Sequence, residues 1–144
     1  MRILGLDLGT KTLGIAISDA THLIASSLCT LRFNENMPSE ILPELANIIN
    51  DYNVGIIVIG LPKNMNNTLG FAAKRTEDFA NILKEKFNIP IEYQDERLSS
   101  VTANNILISA DISRKKRKNK VDQLAATIIL QNYLDIRKGI NYGK

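Results

Sequence analysis

The sequence contains few of the residues that support redox, zinc or nucleophilic chemistry. Its 144 residues include one cysteine (Cys29), one histidine (His22) and no tryptophan. A single cysteine excludes a disulfide framework and a zinc site built from several thiolates. A single histidine that lies outside the acidic motifs discussed below indicates no triad with serine or cysteine, so a nucleophilic hydrolase lacks its parts. Phe and Tyr make up only 6% of the chain, so stacking platforms for single-stranded bases are sparse.

Long hydrophobic runs are also missing. No apolar stretch approaches the roughly 20 residues that a membrane-spanning helix needs. The first ten residues place a glycine and an aspartate where a signal peptide stays apolar. We therefore expect a cytoplasmic protein with no membrane partner. With 44% hydrophobic residues, a chain of this length buries a core, and we expect one domain over residues 1–144.

The positive charge of the chain is concentrated in one stretch, residues 114–120, which we call the basic segment. It contains six cations and no acid, whereas the rest of the chain has 12 cations and 15 acids. The six are Arg114, Lys115, Lys116, Arg117, Lys118 and Lys120. Such a cluster indicates contact with a polyanion, although a solvated loop is the alternative.

The hydrophobic pattern predicts an α/β fold. Strands are predicted over residues 2–7, 13–18, 23–31, 54–60 and 89–94, and helices from residue 38 and over residues 69–87, 99–109 and 121–137. The inner stripe of the helix over 69–87 is predicted to be Phe71, Phe79, Ile82 and Leu83. Three strands joined by short turns and two strands reached through helical crossovers predict a mixed five-stranded sheet, with three antiparallel strands followed by two parallel ones and helices on both faces.

Acidic residues occur at places where an acid is locally unfavourable. Asp7 ends an apolar strand, Asp95 and Glu96 follow the last strand, and Asp122 shares a helix face with alanines. The carboxyl ends of parallel strands meet at one edge of such a sheet, so we expect these acids to converge there, with about 10 Å between the outer backbones. Carboxylate clusters bind hard cations, which predicts Mg²⁺ or Mn²⁺ and hydrolysis of phosphodiesters.

Each acid also has a simpler interpretation. Asp122 is compatible with a helix-dipole or capping carboxylate, and Asp7 with a cap on the following turn. Glu96 is compatible with a surface ion pair to Arg97 or Lys11. Their joint placement at one edge favours a site.

Four ordered motifs then resemble one family over nearly the whole chain. They are DLGTK at 7–11 with GIA at 14–16, GLP at 60–62 with Gly70, DERLSS at 95–100 with Ala103, and KVDQLAA at 120–126 with ILQ at 129–131. These motifs resemble the YqgF family, also called RuvX. The resemblance implies an RNase H-like fold, a metal-dependent nuclease site and a role in maturing the 5′ end of 16S ribosomal RNA. It also implies that Asp7, Glu96 and Asp122 are the catalytic, metal-binding acids, with Asp95 as a further candidate.

Several cations and a hydroxyl fit auxiliary roles at the same edge. Thr10 and Lys11 follow Asp7 and are expected to hold the scissile phosphate, as is Arg97. The basic segment precedes Asp122 and is expected to follow a nucleic-acid backbone.

Three alternatives remain open. The DLGTK motif also resembles a phosphate loop of actin-like and sugar-kinase proteins, but those need two lobes. A non-catalytic nucleic-acid-binding factor for ribosome assembly is the second. The third is a Holliday junction resolvase, which would act on branched DNA as a two-fold dimer. Whether the protein is a monomer or a homodimer, and whether it acts on precursor rRNA in ribosomal particles or on DNA, is left open by the residues themselves.

Overall fold

The computed structural model describes residues 1–62, 70–95 and 114–137. The strands are β1 (Arg2–Leu8), β2 (Thr12–Ser18), β3 (Ala25–Arg32), β4 (Val54–Leu61) and β5 (Ile91–Asp95). The helices are α1 (Leu42–Asp51), preceded by a 3₁₀ turn (Pro38–Ile41), α2 (Phe71–Phe87) and α3 (Arg114–Arg137). This order agrees with the predicted one, and the helix predicted over 99–109 lies outside the described residues.

The five strands form one mixed sheet in the order β3-β2-β1-β4-β5. The pairs β1–β2 and β2–β3 are antiparallel, whereas β1–β4 and β4–β5 are parallel. The predicted α/β sheet is therefore confirmed. Because β4 lies between β1 and β5, the carboxyl ends of these three strands share one edge, which we call the carboxyl edge.

Apolar side chains cover both faces of the sheet. Leu6, Ile57 and Ile59 pack with Phe79 and Leu83 of α2 on the face that α1 and α2 cover, which we call the α2 face. On the opposite α3 face, a smaller cluster is formed by Ile3, Ala16, Val58, Ala126, Ile129, Leu130 and Leu134. Burying each large aliphatic or aromatic side chain contributes about 1.5–3 kcal/mol. The sheet is thus fixed between two apolar layers, as the strand β4, apolar on both faces, predicts.

Helix α3 runs antiparallel to β1 and β3. The amide of Ala25 donates to Gln131 Oε1 at 2.9 Å, and Ser27 Oγ lies 2.8 Å from Thr127 Oγ1. Later residues of β3 therefore contact earlier residues of the helix. The amino-terminal half of α3 therefore points toward the carboxyl edge of the sheet.

The predicted inner stripe of α2 is wrong at two positions. Its buried residues are Ala73, Thr76, Phe79, Ala80 and Leu83. Phe71 is 91% exposed and Ile82 is 37% exposed. The buried face follows the small residues that let the helix approach the sheet, and at 100° per residue Phe71 and Ile82 lie on another side.

The last helix begins seven residues earlier than predicted, at Arg114, so the basic segment is helical rather than a solvated loop. Lysine and arginine are good helix formers, and no proline or glycine interrupts residues 114–137. Strand β3 begins two residues later than predicted because the amides of Leu23 and Ile24 donate to Asp19 Oδ1 at 2.7 and 3.1 Å. Within the described ranges, none of the helices is long and apolar enough to cross a membrane.

Candidate functional site

Asp7 is a buried acid near the carboxyl edge of the sheet. It lies in β1 opposite Gly14 of β2, and its side chain is 9% exposed. Ile3, Gly5 and Asp7 alternate along β1 and belong to the α3 face, since Ile3 joins the cluster under that helix. A carboxylate in such a position requires a compensating polar group or a cation.

A second polar group shares the row of Asp7. Gly14 pairs with Thr30 of β3, so Asp7, Gly14 and Thr30 occupy one row across three strands, about 10 Å from end to end. Cys29 and Leu31 pack on the α2 face, which places Thr30 on the α3 face together with Asp7. The Thr30 hydroxyl oxygen is buried and has no hydrogen-bond partner within residues 1–62, 70–95 and 114–137. Because Gly14 has no side chain, no bulk of β2 separates the two polar groups.

The register distinguishes the acids that follow β5. Ile57 pairs with Ile91, Ile59 with Tyr93 and Leu61 with Asp95. Ile57 and Ile59 belong to the α2 face, so the alternation assigns Asp95 to that face, opposite to Asp7. Asp95 is exposed at the carboxyl edge, about two strand spacings from β1. Glu96 and Arg97 lie outside the described residues.

The turn between β1 and β2 brings two predicted residues to the same edge. Thr10 and Lys11 are exposed and follow Asp7 by three and four residues. Their carbonyl groups accept hydrogen bonds from the amides of Asn36 and Phe33, each at 2.9 Å. The segment that follows β3 therefore fixes this turn beside Asp7.

The predicted packing of α3 is confirmed on its described side. Ala125, Ala126 and Ile129 are buried. A Cβ built on Gly5 would lie 3.2 Å from the carbonyl oxygen of Ala126, so the helix backbone comes close to β1. Residue 122 lies one turn before Ala126, which is the direction of the carboxyl edge and of Asp7.

A hydrogen bond also fixes α3 relative to β5. The Tyr133 hydroxyl donates to the Glu92 carboxylate, and Arg137 Nη1 donates to the same hydroxyl at 3.3 Å. Burial and this bond to Glu92 raise the pKa of Tyr133 above its ordinary value, so the phenol stays protonated and remains the donor. Helix α3 is thereby bonded to both outermost strands of the sheet, β3 and β5.

The structure assembles part of the predicted site. Among the side chains that it describes, no three acids, histidines or cysteines form a group able to hold a metal ion. Asp7, Thr10, Lys11 and Asp95 all lie at the carboxyl edge, but Asp95 belongs to the α2 face and Asp7 to the α3 face. Sequence reasoning missed Thr30, because only the register across Gly14 relates it to Asp7.

The fold is shared with solved resolvase structures. The chain matches RuvC of Thermus thermophilus, in complex with a Holliday junction substrate, at a TM-score of 0.57 and 13% identity, over 97% of both chains. It matches the fowlpox virus resolvase, solved with Holliday junction DNA, at a TM-score of 0.59 and 14% identity, over 95% of this chain and 99% of the other. At this identity the likeness establishes the fold, which is the expected RNase H-like one.

A family model described as RuvX, Holliday junction resolvase, matches residues 1–136. The chain belongs to the RuvX family, and the resemblance of its four motifs is confirmed. A Thermoanaerobacter pseudethanolicus protein is 52% identical over 96% of this chain and 99% of its own length, and a Bacillus subtilis protein is 47% identical over 94% and 98%. Both are named "Putative pre-16S rRNA nuclease". These names and the family agree with a nuclease rather than an ATP-binding lobe.

Proposed function

We propose that this protein is a divalent-metal-dependent nuclease that matures the 5′ end of precursor 16S rRNA. The observation that supports it most directly is the identity of about half of all residues with relatives named "Putative pre-16S rRNA nuclease", over nearly the full length of both chains. The buried carboxylate of Asp7 at the carboxyl edge supports the same chemistry.

Asp7, Glu96 and Asp122 are the residues that would hold the metal. Asp7 belongs to the α3 face, and residue 122 lies on α3 one turn before the buried Ala126. The alternation of β5 assigns Asp95 to the opposite face, and Glu96 is assigned to the site on the motif alone. Asp95 is therefore the weakest of the four candidates.

The chemistry of these donors fits a hard cation. Carboxylate oxygens are the ligands of Mg²⁺ and Mn²⁺, and the buried Thr30 hydroxyl, which has no partner in the described part of the chain, adds an oxygen in the row of Asp7. When bound, such ions activate water and stabilise the attacking and leaving oxygens of a phosphodiester. Asp7 is buried in β1, so the sheet would hold its carboxylate in a fixed position toward the metal.

The cations around this edge bind the polyanion. Lys11 and the Thr10 hydroxyl stand on the exposed turn that follows Asp7, where they meet the phosphate next to the cleaved bond. The basic segment forms the first turns of α3, which points to the same edge, so its charges follow the nucleic-acid backbone away from the site. Arg97 is assigned to the same phosphate contacts on the motif alone.

The proposed partner is precursor rRNA, and ribosomal particles are the natural setting, which places the protein in the cytoplasm. A single-strand cut requires one copy of the site, so a monomer suffices for this role. A Holliday junction resolvase is the second candidate, because the family description itself names that activity. Symmetric cleavage of a junction would require a two-fold homodimer.

One cleavage assay separates these functions. Wild-type protein and Asp7→Asn are incubated with Mg²⁺, with Mn²⁺ or with EDTA. The substrates are a labelled 16S precursor leader, a generic single-stranded RNA and a four-way DNA junction. Metal-dependent cleavage of the leader that Asp7→Asn lacks is the expected result. Cleavage of the junction alone would replace the rRNA role with the resolvase, and tight binding with no cleavage of any substrate would replace the nuclease with a binding factor.

A further inference from the structure

Phe71 is the most exposed large apolar side chain among the described residues, at 91%. It begins α2, and the hydrophobic pattern predicts it to be internal together with Ile82. Single exposed apolar residues are common on protein surfaces, so exposure alone indicates nothing. The two hollows beside Phe71 indicate a function for its exposed ring.

The ring of Phe71 borders two hollows. One has a volume of about 440 Å³ and is lined by Gly70, Phe71, Lys74 and Glu77. The second, of about 510 Å³, is lined along α2 by Phe71, Lys74, Arg75, Asp78, Phe79 and Ile82 and on the other side by Asn36 and Pro38. Volumes of this size accommodate a planar heterocycle. Phe71 and Lys74 are common to both hollows, so an aromatic face and a cation occur together.

Arg75 provides an independent observation. It lines the second hollow, and its Nε–H is buried with no hydrogen-bond partner among the residues that the structure describes. A buried donor of this kind loses its interaction with water, at a cost that a bound acceptor removes. Phe71, Arg75, Asp78 and Ile82 are spaced by three and four residues, so they share one face of α2. Glu77 and Asp78 repel phosphate, which favours a base inside the hollows and its phosphate outside, near Lys74.

The second hollow adjoins the edge that holds Asp7. Asn36 lines it, and the Asn36 amide donates to the Thr10 carbonyl at 2.9 Å. Thr10 follows Asp7 by three residues, which spans at most about 11 Å. Phe71 begins the helix on the α2 face and Asp7 lies on the α3 face, so a nucleic-acid strand cut at the carboxyl edge would reach Phe71 by passing around that edge beside Thr10 and Asn36.

We infer that Phe71 is a base-stacking residue that receives one unpaired nucleobase of the substrate strand. Lys74 and Arg75 bind the same nucleotide. This inference depends on the proposed function, since it assigns a nucleotide subsite to the same nuclease. It predicts that the enzyme prefers a strand with unstacked bases beside the cleaved bond over a continuous duplex. Phe71 positions the substrate and takes no part in the hydrolysis.

The absence of tryptophan gives a direct probe. Phe71→Trp introduces the only tryptophan of the chain, on the proposed stacking surface, and Ile24→Trp is the matched control. Ile24 is also exposed, in the β2–β3 turn at the other end of the sheet. A short single-stranded RNA is titrated in EDTA, so that it binds uncut, and its affinity is followed separately through the anisotropy of a label on the RNA. Base stacking is expected to quench the tryptophan fluorescence of the Phe71→Trp variant and to leave that of the Ile24→Trp variant unchanged.

Affinity variants complete the test. Phe71→Leu is expected to weaken RNA binding about tenfold, because leucine has no aromatic ring on which a base can stack. Phe71→Tyr keeps a ring and is expected to retain binding. An oligonucleotide with the same backbone but abasic positions is expected to bind wild type and Phe71→Leu equally. The stacking role would be overturned if RNA bound to the Phe71→Trp variant without quenching its fluorescence. It would also be overturned if Phe71→Leu and wild type bound RNA with equal affinity. Neither result would affect the proposed nuclease. Wild-type protein that binds no nucleic acid would overturn both proposals.

Discussion

Gly5 on β1 and Leu130 on α3 are in such close contact that a Cβ on the glycine would lie 2.7 Å from the Cβ of Leu130. That distance is far below van der Waals contact, and both groups are buried. The glycine therefore sets how closely α3 approaches the strand that bears Asp7.

Substitution of this glycine tests whether the helix distance matters for function. Gly5→Ala is expected to destabilise the protein by about 1–3 kcal/mol, because the added methyl pushes α3 away from β1. It is also expected to reduce cleavage under conditions where the protein remains folded, since residue 122 moves with the helix. Urea unfolding and cleavage rates at saturating substrate measure the two effects.

Leu134→Ala is the control for this experiment. It removes a buried side chain from the same cluster and costs about 2–5 kcal/mol, but it leaves a cavity instead of separating the helix from the strand. Equal loss of cleavage in both variants at equal folded fraction would mean that stability alone determines activity.

Asp7→Asn is expected to keep the fold and to lose cleavage. The amide has nearly the shape of the carboxylate but lacks its charge, and removing one such electrostatic group costs roughly 100- to 1,000-fold in rate. Cleavage assays, thermal unfolding and titration with Mn²⁺ measure the three properties. Asp51→Asn at the exposed end of α1, on the opposite edge of the sheet, controls for the loss of one negative charge. Retained turnover in Asp7→Asn would remove Asp7 from the site.

The basic segment is tested through the salt dependence of binding. Replacing Lys115, Lys116 and Arg117 with glutamine is expected to weaken RNA binding and to reduce the slope of log affinity against log salt, by about 0.7 for each phosphate that is no longer neutralised. The matched control replaces three cations near the other edge with glutamine, namely Lys84, Lys86 and Arg137. An unchanged slope in the first variant would leave the basic segment as a solvated helix end.

Asp19 is expected to make stability sensitive to acid. Its carboxylate accepts hydrogen bonds from the Thr21 hydroxyl and from the amides of Ile24 and Leu23, which lower its pKa from 3.8 to about 2. A folded-state pKa below the unfolded one means that the contribution is complete above about pH 4 and is lost as pH falls toward about 2. The difference in unfolding free energy between wild type and Asp19→Asn is therefore expected to shrink over that range.

Thr21→Val provides the complementary measurement. It removes the strongest of these hydrogen bonds, so the pKa of Asp19, followed by NMR, is expected to rise toward its ordinary value. A pKa that stays near 2 would assign the effect to the amides of Leu23 and Ile24 instead.

The order of elements was predictable because each strand and helix has its own hydrophobic period. The parallel arrangement of the last strands was predictable from their helical connections, whereas the position of β4 between β1 and β5 was only a condition of the prediction and came from the structure. The buried side of α2 was not predictable from the large apolar residues, because Ala73 and Ala80 determine where the helix packs. Thr30 required the register, including the irregularity between Ile15 and Ala16 that sets which residue of β3 opposes Gly14. Glu96 and Asp122 remain predictions from the motifs.

Because α3 is one continuous helix, the distance between any two residues along it is fixed. Residues 114 and 122 belong to one unbroken helix, and eight residues of helix measure about 12 Å. A stacked nucleic-acid strand advances about 3.4 Å per nucleotide, so this span equals about three to four nucleotides. This length of helix separates the first residue of the basic segment from residue 122, the proposed metal ligand, so it sets how many nucleotides would lie between them.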